Sequence, residues 1–114
     1  MALPELVRKL VEKKMRDYCE GKISPQIRHK IRIGFKIRGN SVTIIEERPY
    51  YYVPSQWSQT VVAQIRYDST DNTWTLYYWD RNSRWCPYAL SVPTKNIETL
   101  LRCVEFDPTG IFWG

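Results

Sequence analysis

The chain opens with a segment in which apolar residues recur at every third or fourth position. The residues with this spacing are Val7, Leu10, Val11, Met15, Tyr18 and Cys19. Residues three or four apart share one face of a helix, so the spacing predicts an amphipathic helix. Pro4 stands where the first helical turn tolerates proline, and Gly21 supplies a stop. The outer face of this helix is expected to carry charges of both signs.

The following segment, IRHKIRIGFKIRGN at residues 27 to 40, alternates between two kinds of side chain. On one side are Ile27, His29, Ile31, Ile33, Phe35 and Ile37, and on the other Arg28, Lys30, Arg32, Lys36 and Arg38. A period of two predicts a strand with one buried face. On that buried side, a hydrogen-bonded core imidazole is the expected role of His29.

Gly39 and Asn40 fit a two-residue type II′ turn, which fixes the pairing of the next strand. The expected partners are Ile37 with Val42, Phe35 with Ile44, Arg32 with Glu47, and Ile33 with Glu46. The last pair places a carboxylate on the apolar side of the hairpin. We therefore expect the hairpin to end or to bulge near Glu46.

Further strands are expected after an aromatic connection. The segment RPYYYVPSQW, at residues 48 to 57, contains two prolines that cannot donate to a central ladder, so it reads as an ordered connection or an edge. Alternation at residues 61 to 68 and the β-branched and aromatic residues at 73 to 80 predict two strands. Residues 85 to 88 form a short strand that Pro87 keeps at an edge.

The last periodic segment predicts a helix. Thr94 is a candidate N-cap, Asp107-Pro108 ends the helix, and Phe112 and Trp113 are expected to dock onto the domain because their exposure would be costly. The buried stripe is Ile97, Leu100, Leu101 and Val104. The expected fold is a two-layer α+β domain: an N-terminal helix, an antiparallel meander of four or five strands and a C-terminal helix. One core is expected to contain Ile31, Ile33, Phe35, Trp74, Leu76, Leu100 and Leu101.

Length and composition indicate what class of protein this is. A chain of 114 residues, 43% hydrophobic and 14% aromatic, is typical of one folded domain, which we place at residues 1–114. Cys19, Cys86 and Cys103 form no close pair, which favours a reducing, cytoplasmic location. Charges at Glu5 and Arg8 interrupt the N-terminus, so neither a signal peptide nor a membrane span is expected.

The sequence contains no pattern typical of a catalytic, metal or cofactor site. The chain has one histidine, so no histidine cluster for zinc can form, and its five glycines are scattered rather than gathered in a phosphate-binding loop. The serines and cysteines lack the surroundings of a nucleophile. We expect a protein that acts by binding rather than by catalysis and that needs no cofactor.

Charge is distributed unevenly along the chain. Residues 1 to 48 contain twelve Lys and Arg against six Asp and Glu, and residues 49 to 114 contain five against six, for a net charge of +5. A basic strand beside aromatic residues is what single-stranded nucleic acid requires, because cations neutralise phosphates and rings stack on bases. The candidate site combines the cations Arg28, Lys30, Arg32, Lys36 and Arg38 with the stacking residues Tyr77 and Trp79. It requires that the two aromatic residues lie on the same exposed face as the cations.

Two alternatives remain open at this point. Charges on the outer face of a strand also keep a sheet in solution and discourage edge-to-edge pairing. The segments RPYYYVPSQW and YYWDRNSRW are rich in Tyr, Trp and Arg, which are enriched in protein-binding hot spots. A protein partner, or a second copy of the chain, is therefore the alternative to nucleic acid.

A set of spaced residues from Glu47 to the end of the chain resembles a small bacterial family of unknown function. The motifs are Arg48-Pro49, Trp57, Ala63-Gln64-Ile65-Arg66-Tyr67, Trp74-x-Leu76-Tyr77, Trp79-x-Arg81-x-x-x-Trp85-x-x-Tyr88 and Asp107-Pro108-x-Gly110-x-Phe112-Trp113-Gly114. The resemblance implies a bacterial, single-domain protein. It transfers no catalytic residue.

Overall fold

In the computed structural model, which describes residues 2–113, a five-stranded antiparallel sheet has two α-helices packed on one of its faces. The elements are α1 (Glu5–Lys22), β1 (Arg32–Arg38), β2 (Ser41–Pro49), β3 (Trp57–Asp68), β4 (Thr73–Trp79), β5 (Trp85–Pro87) and α2 (Ile97–Phe106). The strands pair in chain order, so the sheet is a meander with β1 and β5 at its edges. The predicted fold class is confirmed.

The core lies between the helices and one face of the sheet. Its centre is the row of fully buried cross-strand partners Val42, Ile65 and Leu76, which Ile37 continues at the partly buried edge. Val11 and Met15 of α1 and Leu100 and Val104 of α2 cover this row. Ile33 and Phe35 pack at its margin and are partly buried. The prediction for Ile31 is wrong, because this residue precedes β1 and lies outside the core cluster. Leu10 was also predicted on the buried helix face, and it is 56% exposed.

The first strand is shorter than its alternating pattern. Residues Pro25–Ile27 form a turn of 3-10 helix, and the Lys30 amide donates to the Ile27 carbonyl at 2.9 Å, so the chain becomes extended only at Arg32. His29 is therefore exposed in a turn rather than buried in the core. Proline suits the first position of such a turn, and the turn's own backbone hydrogen bonds keep residues 28 to 31 out of the sheet.

The hairpin of β1 and β2 has the predicted register, including Arg32 opposite Glu47 and Phe35 opposite Ile44. Gly39 has a φ of 59°, as the first position of the predicted turn requires. The pairing passes Ile33 and Glu46 without a bulge and ends one pair later, at Arg32 and Glu47, so the hairpin ends near Glu46 as expected. The Glu46 carboxylate is half-buried and accepts from Arg48 Nε at 2.7 Å.

A bulge occurs instead between β2 and β3. Ile44 pairs with Ala63 and Ile45 pairs with Val61, which leaves Val62 as an extra residue. Because of this extra residue, each β3 side chain before Val62 points to the face opposite to the one that strict alternation, counted back from Ala63, would predict. Residues 50 to 56 form the connection, and Tyr51 and Tyr52 at its tip are 88% and 90% exposed.

The second helix is capped by Asn96 rather than by Thr94. The Asn96 side chain accepts from the Glu98 amide at 3.0 Å, whereas the Thr94 backbone pairs with Trp74. The C-terminal segment docks as predicted. Phe112 is buried, and the Trp113 indole donates to the Val104 carbonyl at 3.0 Å.

Candidate nucleic-acid interface

The face of the sheet that points away from the helices, which we call the open face, brings basic and aromatic side chains together. Antiparallel partners share a face. The register across four adjacent strands, β1 to β4, is Lys36, Thr43, Gln64 and Tyr77, and the next row is Arg38, Ser41, Arg66 and Thr75. Tyr77 and Trp79 lie two residues apart on β4 and therefore share that face with the cations. The spatial condition that the sequence could not test is met.

Two arginines of the open face lie over aromatic rings. The guanidinium carbon of Arg32 is 3.7 Å from the centre of the Trp57 ring, and that of Arg66 is 4.0 Å from the centre of the Tyr77 ring. Such stacking is attractive because the ring face carries negative charge density. The side chains are thereby held against the sheet, with part of each guanidinium edge available for hydrogen bonds.

Hydrogen bonds fix the polar side chains between these stacks. Arg66 Nε donates to Gln64 Oε1 at 2.7 Å, and Gln64 Nε2 donates to the Thr43 hydroxyl at 2.9 Å. Lys36 Nζ donates to Gln59 Oε1 at 3.0 Å. The centre of the open face is therefore ordered before any ligand arrives.

The cations of the open face have no carboxylate partner within ion-pair distance among residues 2–113. The six ion pairs of that region use other cations, such as Lys14 with Glu98 and Lys22 with Glu105, both at 2.8 Å between the helices. The open face does contain Glu47 opposite Arg32, and the Glu47 carboxylate accepts from Gln59 at 3.4 Å. Lys36, Arg38 and Arg66 thus have no carboxylate directly opposite them, whereas Arg32 lies across from Glu47 without an ion pair.

Two of the predicted cations lie elsewhere. Arg28 donates from Nη2 to the Glu20 carbonyl at 2.9 Å and from Nε to the Ile23 carbonyl at 3.4 Å. It therefore occupies the carbonyl groups left unpaired at the C-terminus of α1, where a cation is favourable. Lys30 is exposed in the turn before β1 and outside the sheet. The site keeps three of its five predicted cations.

The open face also contains residues that sequence reasoning missed. Trp57 and Arg66 belong to it through their stacks, and Trp85 joins through its pairing with Trp79, with ring centres 4.9 Å apart. The alternation of β3 was enough to find Arg66. No signal identified Trp57, because the bulge at Val62 reverses the face on which it lies.

A polar cavity of about 360 Å³ adjoins the open face at the β3–β4 turn. Arg66 and Tyr77 line it together with Asn40, Asp68 and Thr75. The Thr70 amide donates to the Asp68 carboxylate at 2.9 Å and holds the pKa of that group below its usual value. Asp68 therefore stays ionised and makes this end of the open face less attractive to anions than its centre.

The described part of the chain contains no helix that is both long and apolar enough to cross a membrane. Among the same residues, no group of three or more His, Cys, Asp or Glu side chains is placed to hold a metal ion.

A family model described as "Domain of unknown function (DUF3024)" matches residues 3–114. No curated protein and no solved structure has significant similarity to the chain.

Proposed function

Since the chain belongs to the family described as Domain of unknown function (DUF3024), its membership brings no activity with it, and we propose that the protein binds single-stranded nucleic acid on the open face of its sheet. It acts by binding rather than by catalysis, in the cytoplasm. The observation that carries the proposal is the set of unpaired cations at Arg32, Lys36, Arg38 and Arg66 beside aromatic rings on one ordered face.

The open face is wide enough for a short stretch of single strand. From β1 to β4 it spans three strand spacings, about 14 Å at roughly 4.8 Å each. Lys36 and Arg38 approach the phosphates from one side, and Tyr77, Trp79 and Trp85 lie on the other side, where bases stack.

A single strand fits this face better than a duplex. Rings on a sheet stack only on bases that are not already stacked in a helix. The Arg32 and Arg66 guanidinium planes, lying over Trp57 and Tyr77, extend the stacking surface, since RNA and DNA bases also stack on arginine. If the charges served only to keep the strand in solution, cations held over aromatic rings would not be required.

The charge contribution is tested by fluorescence anisotropy with labelled single- and double-stranded oligonucleotides at several salt concentrations. We expect the native chain to prefer single strands and to lose affinity steeply as salt rises. The triple variant Arg32→Glu, Lys36→Glu, Arg38→Glu should lose binding. Each lost phosphate contact should also reduce the slope of log affinity against log salt by about 0.7.

A matched control carries the same change of net charge on the opposite side of the molecule. Lys9→Glu, Lys13→Glu, Arg102→Glu reverses three exposed helix cations and leaves the open face intact. This variant should retain most of its affinity. Equal losses in the two variants, or negligible binding by the native chain at low salt, would contradict the proposal.

The stacking contribution is tested separately with Tyr77→Leu. The substitution removes a stacking ring without a charge and should weaken binding by about 1–3 kcal/mol while leaving the salt slope unchanged. Thr75→Val on the same strand is the control, because it changes the open face without removing a ring or the Gln64–Thr43 hydrogen bond. A Tyr77→Leu variant with native affinity would mean that bases do not stack there.

A protein partner is the second candidate, and the exposed tyrosines at the tip of the β2–β3 connection favour it. Tyr51 and Tyr52 contact each other edge to face at 5.0 Å and are almost fully exposed. Large exposed rings of this kind are typical of binding hot spots. If they mediate self-association, sedimentation velocity will show a concentration-dependent dimer that Tyr51→Ser, Tyr52→Ser abolishes.

A further inference from the structure

Strand β1 is an edge of the sheet with unused backbone hydrogen-bonding groups. Among residues 2–113, no backbone hydrogen bond reaches its outer side. In antiparallel strands, residue pairs that exchange both backbone hydrogen bonds alternate with pairs that exchange none. The pair that flanks a two-residue hairpin turn, here Arg38 and Ser41, exchanges both, so the pairs of Ile33, Phe35 and Ile37 with β2 exchange none. The amides and carbonyls of Ile33, Phe35 and Ile37 therefore point outward.

A groove of about 390 Å³ runs beside this edge, between β1 and the C-terminal end of α1. Its apolar lining comes from Cys19 and Ile23 on one side and from Ile33 and Phe35 on the other. Ile33 and Phe35 are only partly buried, so the edge of the core remains accessible. An extended chain laid along β1 would cover both the backbone groups and this apolar surface.

We propose that the outer edge of β1 binds an extended peptide that alternates apolar and acidic residues, as an additional antiparallel strand. Peptide residues opposite Ile33 and Phe35 face the groove, and the residue opposite Ile37 shares their side of the sheet, so all three are apolar. Residues opposite Arg32, Lys36 and Arg38 share the open face, so they are acidic, because opposite charges across a ladder stabilise it. This mode is β-strand addition, in which the backbone gives affinity and alternate side chains give specificity.

Charge disfavours a second copy of this chain as the occupant. Antiparallel pairing of β1 with itself about Phe35 places Arg32 opposite Arg38. A shift by two residues in one direction pairs Arg32 with Lys36, and in the other direction it pairs Lys36 with itself. Like charges directly opposite destabilise a ladder, so the edge is protected against itself and open to an acidic strand. The inference goes beyond the proposed function and does not rest on it.

The probe is a capped synthetic peptide of the length of β1 that alternates Glu and Val, added to the full chain. We expect saturable binding by labelled-peptide anisotropy and slower hydrogen exchange, by NMR, at the amides of Ile33, Phe35 and Ile37. A peptide that alternates Lys and Val is the charge control and should not bind. Binding without protection of those three amides would overturn the proposal, since it would show only a polyanion held by the open face.

Two N-methylated peptides test the geometry. In an antiparallel pair the Val residues opposite Ile33, Phe35 and Ile37 direct their amides toward β1, and the Glu residues direct theirs away. N-methylation of Val should lower the affinity at least tenfold, and N-methylation of Glu should leave it nearly unchanged. Equal effects of the two, or a dimer of the protein alone in which the amides of Ile33, Phe35 and Ile37 exchange slowly, would overturn the assignment of this edge to an acidic strand.

Discussion

Asp107 joins the end of α2 to the C-terminal segment. It has a φ of 45°, and its carboxylate accepts from the Phe112 amide at 3.2 Å and the Trp113 amide at 2.9 Å. Asp107→Ala should cost about 1–3 kcal/mol, because two half-buried donors lose their acceptor. Asp107→Asn keeps an acceptor and tolerates the left-handed conformation, so it should cost less. Urea unfolding measures both; equal midpoints for Ala and native chains would contradict this role.

Cys19 is predicted to be chemically inert in the native state. It is 8% exposed, and burial, followed by the nearby Glu20 carboxylate, raises the pKa of its thiol to about 11. The thiolate is the reactive form, so alkylation at pH 8 should be slow and should accelerate as the pH rises toward 11. Mass spectrometry after iodoacetamide treatment compares native and urea-unfolded chains. A similar rate at Cys19 in both states would show that the thiol is accessible.

Phe35 and Lys36 test which face of β1 is buried. Phe35 packs at the margin of the core and is partly exposed, so Phe35→Ala should cost about 3 kcal/mol, the lower end of the range for buried rings. Lys36→Ala, on the open face, should change the stability by less than about 0.5 kcal/mol. Thermal unfolding provides the comparison. The reverse ranking of the two variants would mean that the faces are exchanged.

At the scale of elements, the C-terminal segment acts as part of the core. Phe112 lies 4.9 Å from Tyr88 between ring centres, and Lys22 of α1 lies 4.6 Å over the Trp113 ring. Deletion of residues 111–114 should therefore lower the melting temperature and promote aggregation, because it uncovers Val104 and Tyr88. Ile111→Ser changes the exposed residue of the segment and should be nearly neutral. A truncated chain with native stability would show that the docking contributes nothing.

Local sequence was sufficient for the elements and for one hairpin register. Alternation fixes which face of a strand is buried, and the Gly39-Asn40 turn fixes the partner of each residue of β1. Local sequence was not sufficient where contacts with a neighbouring element determine the position of a residue. The start of β1 depends on the turn after Pro25, and Arg28 is drawn away by the carbonyls at the end of α1. The bulge at Val62 has no marker in an unbroken run of strand-forming residues.

At the scale of the whole molecule, most ion pairs lie on the helix side. Two of them join cations of α1 to carboxylates of α2 that are distant in sequence, as Lys22 does with Glu105. The sequence does not identify two distant residues as the partners of an ion pair, so counting charges could not show which cations remain unpaired. The candidate site was therefore found only in part: Lys36 and Tyr77 followed from alternation, whereas Trp57 required the complete sheet.

The order of the meander also bears on how the chain is made. Every strand pairs with its neighbour in sequence, so the sheet closes through short loops at little entropic cost and can form early. The helices that cover it come from opposite sides of the strand segment in the sequence, and α2 with the docked Trp113 is synthesised after all five strands. During translation the apolar side of a nascent sheet therefore stays half uncovered until residues 97 to 113 have left the ribosome. Protection of that surface by a chaperone would be needed only for this interval.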